Sequence, residues 1–321
     1  MKSWLPIWLF ILLFQTALIS YPRASGALPI ETFLFDPRDG TRDRVIPIKV
    51  YVPKEEKNRM PIILFSHGLG GSREASSYLG QYWANAGYVA VFVQHPGSDE
   101  GVWKDAPVNK RLDALKQAVN VQALLGRIQD ISFTINQLEY LNQEKGHPLS
   151  GRLNLQKIGM SGHSFGAVTT QAVMGQKFLG NLDYREKRLK VFLLCSPSVG
   201  QGLSPENAFG HITSPVMCMT GTEDHSPIRG AVTAESRRKV FASLPMGDKF
   251  QLVFYGGHHD AFSERDMNGR EARDPRFHSA IQQLSTAFWD AYLKDNDKQK
   301  GYLKSDGPKA VLLKEDIWEW K

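Results

Sequence analysis

The sequence predicts an α/β fold with a mostly parallel central sheet and helices on both faces. Three observations carry that expectation. Short apolar runs of strand length recur along the chain, and stretches with apolar residues at helical spacing stand between them. The third is bulk: 321 residues, 42% hydrophobic and 11% aromatic, can bury the core such a sheet requires.

The elements follow in order. Residues 32–35 and 45–52 read as two strands around the turn-rich Asp36-Pro37-Arg38-Asp39-Gly40, an opening antiparallel hairpin. Residues 61–66 form an apolar run. Ser72 then stands as a helix cap ahead of Ala75, Tyr78, Leu79, Tyr82, Trp83 and Ala86, and Gly87 ends that helix. With the next run, 88–93, this makes a βαβ unit. Ile128, Ile131, Ile135, Leu138 and Leu141 mark a further helix, 157–161 a strand and 165–174 a helix. Strands at 191–195, 216–220 and 250–255 come next, and Ile281, Leu284, Phe288 and Tyr292 stripe a final helix. Residues 95–123 and 196–212 read as long irregular connections, and such segments suit the rim of a substrate pocket.

The first 26 residues read as a secretory leader: Lys2 supplies a positive start, 4–19 is an almost unbroken apolar run, and Ala24-Ser25-Gly26-Ala27 supplies small residues. The run is about 16 residues and contains Pro6 and Gln15, short of the ~20 that a spanning helix needs. A secreted or periplasmic protein is therefore expected, with an uncleaved N-terminal anchor as the alternative. Residues 27–321 are expected to form one catalytic domain.

The formal net charge of +6 includes Lys2 and Arg23 of the leader, and the remaining excess is scattered. The densest charge run, Arg185-Glu186-Lys187-Arg188-Leu189-Lys190, mixes signs and reads as a solvated face, so no nucleic-acid partner is expected. Cys195 and Cys218 both lie in apolar runs and read as small buried hydrophobes on strands. An oxidising compartment would permit a disulfide between them, although nothing in the fold depends on one.

Gly162-His163-Ser164-Phe165-Gly166 matches the nucleophile elbow G-x-S-x-G, and it stands where that motif must, after a strand and before a helix. A serine hydroxyl needs a base to take its proton and a carboxylate to hold that base in the right tautomer. The acid is expected at Asp224, in the turn after the strand 216–220, with Glu223 as fallback. The base is expected in Gly256-Gly257-His258-His259-Asp260-Ala261-Phe262, where two adjacent histidines compete. His258, His259 and Asp260 are also metal-ligand types, but their spacing does not suit a zinc site and no metal is expected. Oxyanion donors are expected from the backbone N–H of Phe165 and from that of Leu69 in Ser66-His67-Gly68-Leu69-Gly70-Gly71. The same loop is no dinucleotide cradle, because Arg73 occupies the place of the third glycine, and no P-loop, because the lysine is missing.

These segments resemble the platelet-activating-factor acetylhydrolase and dienelactone-hydrolase-like branch of the α/β-hydrolases. The similarity rests on the Ser66–Gly71 loop, the elbow with Ala167, Gly221-Thr222-Glu223-Asp224 and the terminal histidine loop, so it runs from residue 61 to 262. It implies an α/β-hydrolase fold, ester hydrolysis and no cofactor. It also selects His259 over His258, because that family's histidine stands three residues before a phenylalanine, here Phe262. Dienelactone chemistry would use a cysteine nucleophile, and this chain has serine instead. It does not imply a substrate, because that branch includes enzymes for phospholipid, small-ester and polyester-like substrates; a small-molecule or lipid ester is the partner expected here.

Two competing functions share these residues. An exported lipase or phospholipase would meet a lipid surface, for which the terminal Ile317-Trp318-Glu319-Trp320 offers apolar contact unless those tryptophans close over the core. A binding protein could retain the fold without the chemistry, as folds do not dictate function. The complete Ser164, Asp224 and His259 set argues for an enzyme.

Overall fold

The computed structural model describes residues 29–321 except 55, 57, 201, 227, 229, 231 and 265–273. The expected leader lies outside the described residues. The chain opens with β1 (Ile30–Phe35), β2 (Arg38–Asp39), β3 (Arg44–Val45) and β4 (Ile48–Pro53), then β5 (Met60–Ser66), α1 (Ser77–Asn85) and β6 (Val89–Val93). Next come α2 (Arg111–Ala118), α3 (Val121–Gln143), β7 (Leu153–His163) and α4 (Phe165–Met174). A small β8 (Lys177–Phe178) and β9 (Leu182–Asp183) precede β10 (Leu189–Cys195), α5 (Pro205–Phe209), β11 (Val216–Glu223) and α6 (Ala234–Ser243). The chain ends with β12 (Lys249–His258), α7 (Pro275–Leu293), α8 (Asp297–Leu303) and β13 (Ile317–Trp320).

Nine of the described strands form one sheet in the order β1-β4-β6-β5-β7-β10-β11-β12-β13. From β6 to β12 every neighbouring pair is parallel; the pairs at the two edges are antiparallel. A parallel strand covered on both faces must be apolar on both, and every residue of β5 is buried. Alternation then deals the side chains to two cores. Ile62 and Leu64 face α3, α4, α5 and α6, where Ile131, Ile135, Val173, Phe209 and Val240 meet them. Ile63 and Phe65 face α1, α7 and α8, packed on Leu79, Trp83, Ile281, Leu284 and Phe288.

The cysteines fall on opposite faces. In the β10–β11 register Leu194 pairs with Cys218 and Cys195 with Met219, so one thiol points into each core. Both are free and buried, which excludes the disulfide between them.

Four expectations on the elements need correction. Val45 belongs to the small β2–β3 hairpin, and the long strand starts only at Ile48; Pro47, which has no N–H to donate, separates them. Helix α1 starts at Ser77, not after Ser72, because Ser72 to Ala75 close a turn and Ser76 adopts a left-handed conformation at φ 59°. The connection 95–123 is less irregular than expected, since it carries α2 and the start of α3, whose cap Asn120 accepts from the Ala123 N–H at 2.8 Å. Finally, α7 is not the last element. Residues 317–320 form β13 on β12, where Trp318 is buried and donates to the Leu303 carbonyl, while Trp320 stays partly exposed.

Candidate active site

The carboxyl ends of β5, β7, β11 and β12 lie side by side in the parallel sheet, so the segments that leave them share one edge. Ser66–Gly71, Ser164, Asp224 and His259 are those segments. Ser164 stands between β7 and α4 with φ 56° and ψ −114°, a strained conformation that costs an L-residue about 1–3 kcal/mol. The turn is over-determined by hydrogen bonds: Ser164 N–H donates to the Cys195 carbonyl at 2.9 Å, and Val168 N–H to the Ser164 carbonyl at 3.1 Å. Gly162 is required by space, because a Cβ there would stand 2.3 Å from the Gly166 carbonyl oxygen.

The His259 ring joins the other two side chains. Its Nε2 lies 2.9 Å from Ser164 Oγ and its Nδ1 lies 2.7 Å from Asp224 Oδ1. Asp224 is fully buried, and Thr220 Oγ1 donates to its second oxygen at 2.8 Å. Burial alone would raise this carboxyl, but the His259 hydrogen bond and the His259 and Arg237 charges prevail and hold it down to about 2. An ionised Asp224 accepts the Nδ1 proton, which leaves Nε2 with a lone pair toward the serine. The two alternatives point elsewhere: Glu223 is exposed at the end of β11, and His258, paired with it in register, is exposed too.

The loop of His259 is tied down on both sides. His163, the variable residue of the elbow, donates from Nε2 to the His259 carbonyl at 3.0 Å, and its ring lies 4.8 Å from that of His259. Burial, then the neighbouring His259 charge, holds His163 down to about 3, so it stays neutral and can keep that geometry. Beyond the loop, Glu264 accepts from Ser77 Oγ at 2.6 Å and from the Tyr78 N–H at 3.0 Å, which caps α1 from a distant part of the chain.

Gly68 of the first loop lies against the serine: a Cβ on it would stand 3.5 Å from Ser164 Cβ. Gly70 N–H donates to the Ser98 carbonyl at 2.9 Å, and the Trp103 indole donates to the Gly70 carbonyl at 2.7 Å. Neither Leu69 nor Phe165 makes a loop or turn hydrogen bond through its N–H among the described residues. A buried polar network underlies this loop. Arg127 donates to the His67 carbonyl, to Ser66 Oγ at 3.1 Å and to Thr169 Oγ1 at 2.9 Å, and its guanidinium lies 4.6 Å from the Phe165 ring centroid. Ser66 Oγ also meets His95 Nε2 at 3.0 Å, and His95 Nδ1 meets Asp130 at 3.0 Å. Burial and the Arg127 charge outweigh the Asp130 bond and bring His95 down to about 4, so His95 is a neutral donor to an ionised carboxylate. Arg42 and Arg44 complete the neutralisation of Asp130, each at 2.8 Å.

Residues 41–103 match the family model of platelet-activating factor acetylhydrolase, isoform II. The platelet-activating factor acetylhydrolase of Cavia porcellus is 26% identical over 149 residues, 39% of this chain and 34% of the relative. These matches support the platelet-activating-factor acetylhydrolase-like branch of the α/β-hydrolases. The nine-stranded, mostly parallel sheet with helices on both faces is an α/β-hydrolase fold. The alignment spans about a third of the relative's length, and the family match takes in the Ser66–Gly71 loop but stops ahead of Ser164.

At this edge of the sheet the structure brings together Ser164, Asp224 and His259, and sets the Leu69 loop beside the elbow. Among the described residues no group of three or more His, Cys, Asp or Glu side chains is arranged to hold a metal ion. Sequence reasoning missed Arg237, buried against Asp224, and the pair Arg127 and Asp130 under the Ser66–Gly71 loop. A signal was present in each case. Arg127, Asp130 and Thr134 share the helical face of Ile131 and Ile135, and Arg237 stands three positions after Ala234 and three before Val240, so helical spacing turns all of them inward.

Proposed function

We propose that this protein hydrolyses carboxylic esters through an acyl-enzyme on Ser164, with His259 as general base and acid and Asp224 as its orienting carboxylate. The observation that carries the reading is the continuous hydrogen-bonded chain from Ser164 Oγ through the His259 ring to a buried, ionised Asp224. His259 takes the serine proton as Oγ attacks the ester carbonyl, then returns it to the leaving alkoxide; water repeats the sequence to release the acid. The N–H groups of Leu69 and Phe165 are assigned to the oxyanion, and removal of one such donor typically costs about 10²–10³ in kcat.

A lipid ester is the substrate class we favour, because the relative from Cavia porcellus is a platelet-activating factor acetylhydrolase. Export by the leader is part of this proposal, and among the described residues no helix is long and apolar enough to cross a membrane. Hydrolysis of a p-nitrophenyl ester series from two to sixteen carbons, by wild type and by Ser164→Ala, His258→Ala and His259→Ala, tests the mechanism. Collapse in Ser164→Ala and His259→Ala, with His258→Ala near wild type, is expected. Full activity of Ser164→Ala would overturn it. Micellar against monomeric ester separates an interfacial lipase from an esterase, and failure of a fluorophosphonate to label Ser164 would favour a binding protein.

A further inference from the structure

The Arg237 guanidinium is buried at 2% exposure, and all three of its nitrogens have partners, two of them at Asp224 and His259. Its Nε donates to the Asp224 carbonyl at 2.8 Å and stands 2.9 Å from Asp224 Oδ1. Nη1 donates to the Ser196 carbonyl at 2.8 Å, the Pro197 carbonyl at 3.1 Å and Ser198 Oγ at 3.1 Å. Nη2 stands 3.0 Å from His259 Nδ1. The last contact sets two demands against each other. While Nδ1 carries its proton toward Asp224 Oδ1 at 2.7 Å, it has no lone pair to receive an Arg237 N–H. In the other tautomer Nδ1 would accept from Arg237, but Nε2 would then hold a proton against Ser164 Oγ and could not act as its base.

We propose that Arg237 is a positioning residue of this site: it fixes the Asp224 carboxylate, and its charge beside Nδ1 opposes protonation of the His259 ring. The inference rests on the Ser164–His259–Asp224 reading. The cluster pairs the Asp224 carboxylate with the Arg237 guanidinium, so Asp224 orients the ring without leaving an uncompensated buried negative charge. Among the described residues, the other groups that contact the ring or its loop bring no positive charge to Nδ1. His163 of the elbow is neutral, Ser164 is a hydroxyl, and His278 of α7 contacts the loop at the Ser263 carbonyl, with its own proton affinity lowered by burial. Through Nη1 the same side chain holds 196–198, the start of the connection that runs toward α5, so carboxylate and rim are built on one cation.

The test is the pH profile of kcat/KM on p-nitrophenyl acetate for the full chain, which reports the free enzyme's essential groups. Arg237→Gln removes the charge and is expected to move the acid limb upward by about 1 pH unit, with a lower plateau. Arg237→Lys keeps the charge and loses the fork, so its acid limb should stay at the wild-type position while kcat falls more than KM changes. A uniform loss at every pH in Arg237→Gln, with the limb unmoved or moved downward, would mean a merely structural residue and overturn the proposal. Should Arg237→Gln fail to fold by circular dichroism, Arg237→Lys decides: a limb at the wild-type position supports the role of the charge, and a displaced one overturns it. Ser164→Ala is run alongside, because its retained activity would overturn the triad reading itself, whereas an inactive Ser164→Ala with an unmoved Arg237→Gln limb overturns only Arg237.

Discussion

The backbone of Gly166 presses on the carbonyl of Ser66: a Cβ at position 166 would stand 1.8 Å from the Ser66 oxygen and 2.8 Å from that of His67. Both neighbours are main chain: Ser66 is paired in the sheet with Val93 and Gly162, and Arg127 donates to the His67 carbonyl, so neither is free to withdraw. Gly166→Ala is therefore expected to cost stability near the upper end of the overpacking range, about 3 kcal/mol, and to abolish the proposed ester hydrolysis by parting the Ser66–Gly71 loop from the elbow. Gly68 is the control. A Cβ there meets its nearest neighbours at 3.4 to 3.5 Å, an ordinary contact, so Gly68→Ala should fold with nearly wild-type stability. Urea unfolding of the two variants compares them, and equal losses would contradict the geometry.

Replacing Asp224 by Asn keeps the shape and changes the proton. The amide can donate toward His259 Nδ1, where Arg237 Nη2 already stands at 3.0 Å, and both donors then favour the ring tautomer with its proton on Nε2. That tautomer faces Ser164 and cannot take the serine proton. A fall in kcat of about four orders of magnitude is expected, with the fold retained. A kcat within tenfold of wild type would show that Asp224 does not set the tautomer.

His163 ties down the main chain of His259, the proposed base, through one hydrogen bond. Without it the His259 carbonyl loses its donor and the ring loses a wall at 4.8 Å between centroids. His163→Ala should lower kcat on the order of 10- to 100-fold through misplacement of the base and cost about 1–3 kcal/mol for the orphaned carbonyl. His163→Gln, which retains an N–H donor, should recover part of both. Steady-state kinetics with urea unfolding separates the two effects, and an unchanged kcat in His163→Ala would remove the positioning role.

The sheet and the elbow were legible in the sequence because they depend on short-range pattern: short apolar runs of strand length, G-x-S-x-G at a strand-to-helix turn, an acid and a histidine after later strands. What the sequence concealed depends on residues that meet only in three dimensions. Ser72 reads as the cap of α1 because it precedes the apolar stripe, yet Glu264 reaches the Ser77 N–H from 187 positions away. Arg237 stands in the run Arg237-Arg238-Lys239, and the inward turn of α6 places it against Asp224. The tail 317–320 has the look of a lipid contact in isolation, but strand β12 would otherwise be an open edge, and β13 covers it with Trp318 facing the core.

The buried histidines make acid the weak side of this fold. His95 titrates at about 4 and His163 at about 3, both held below the ordinary 6.5 chiefly by burial. In the unfolded chain both would take a proton as the pH falls through about 6.5, while the folded state refuses it until the lower values. Between those limits the unfolded state binds more protons, so stability declines as the pH drops. Asp130 and Asp224, each held at about 2 in the folded protein, act in the same direction in a lower window that opens near their unfolded value of 3.8. The urea midpoint should therefore begin to fall between pH 6.5 and 4, ahead of the carboxylate range, and then fall more steeply. The early part of that slope should flatten in His163→Gln, which has no ring to protonate. A wild-type midpoint that stays constant from pH 7 to 4.5 would mean that neither histidine is buried in its neutral form.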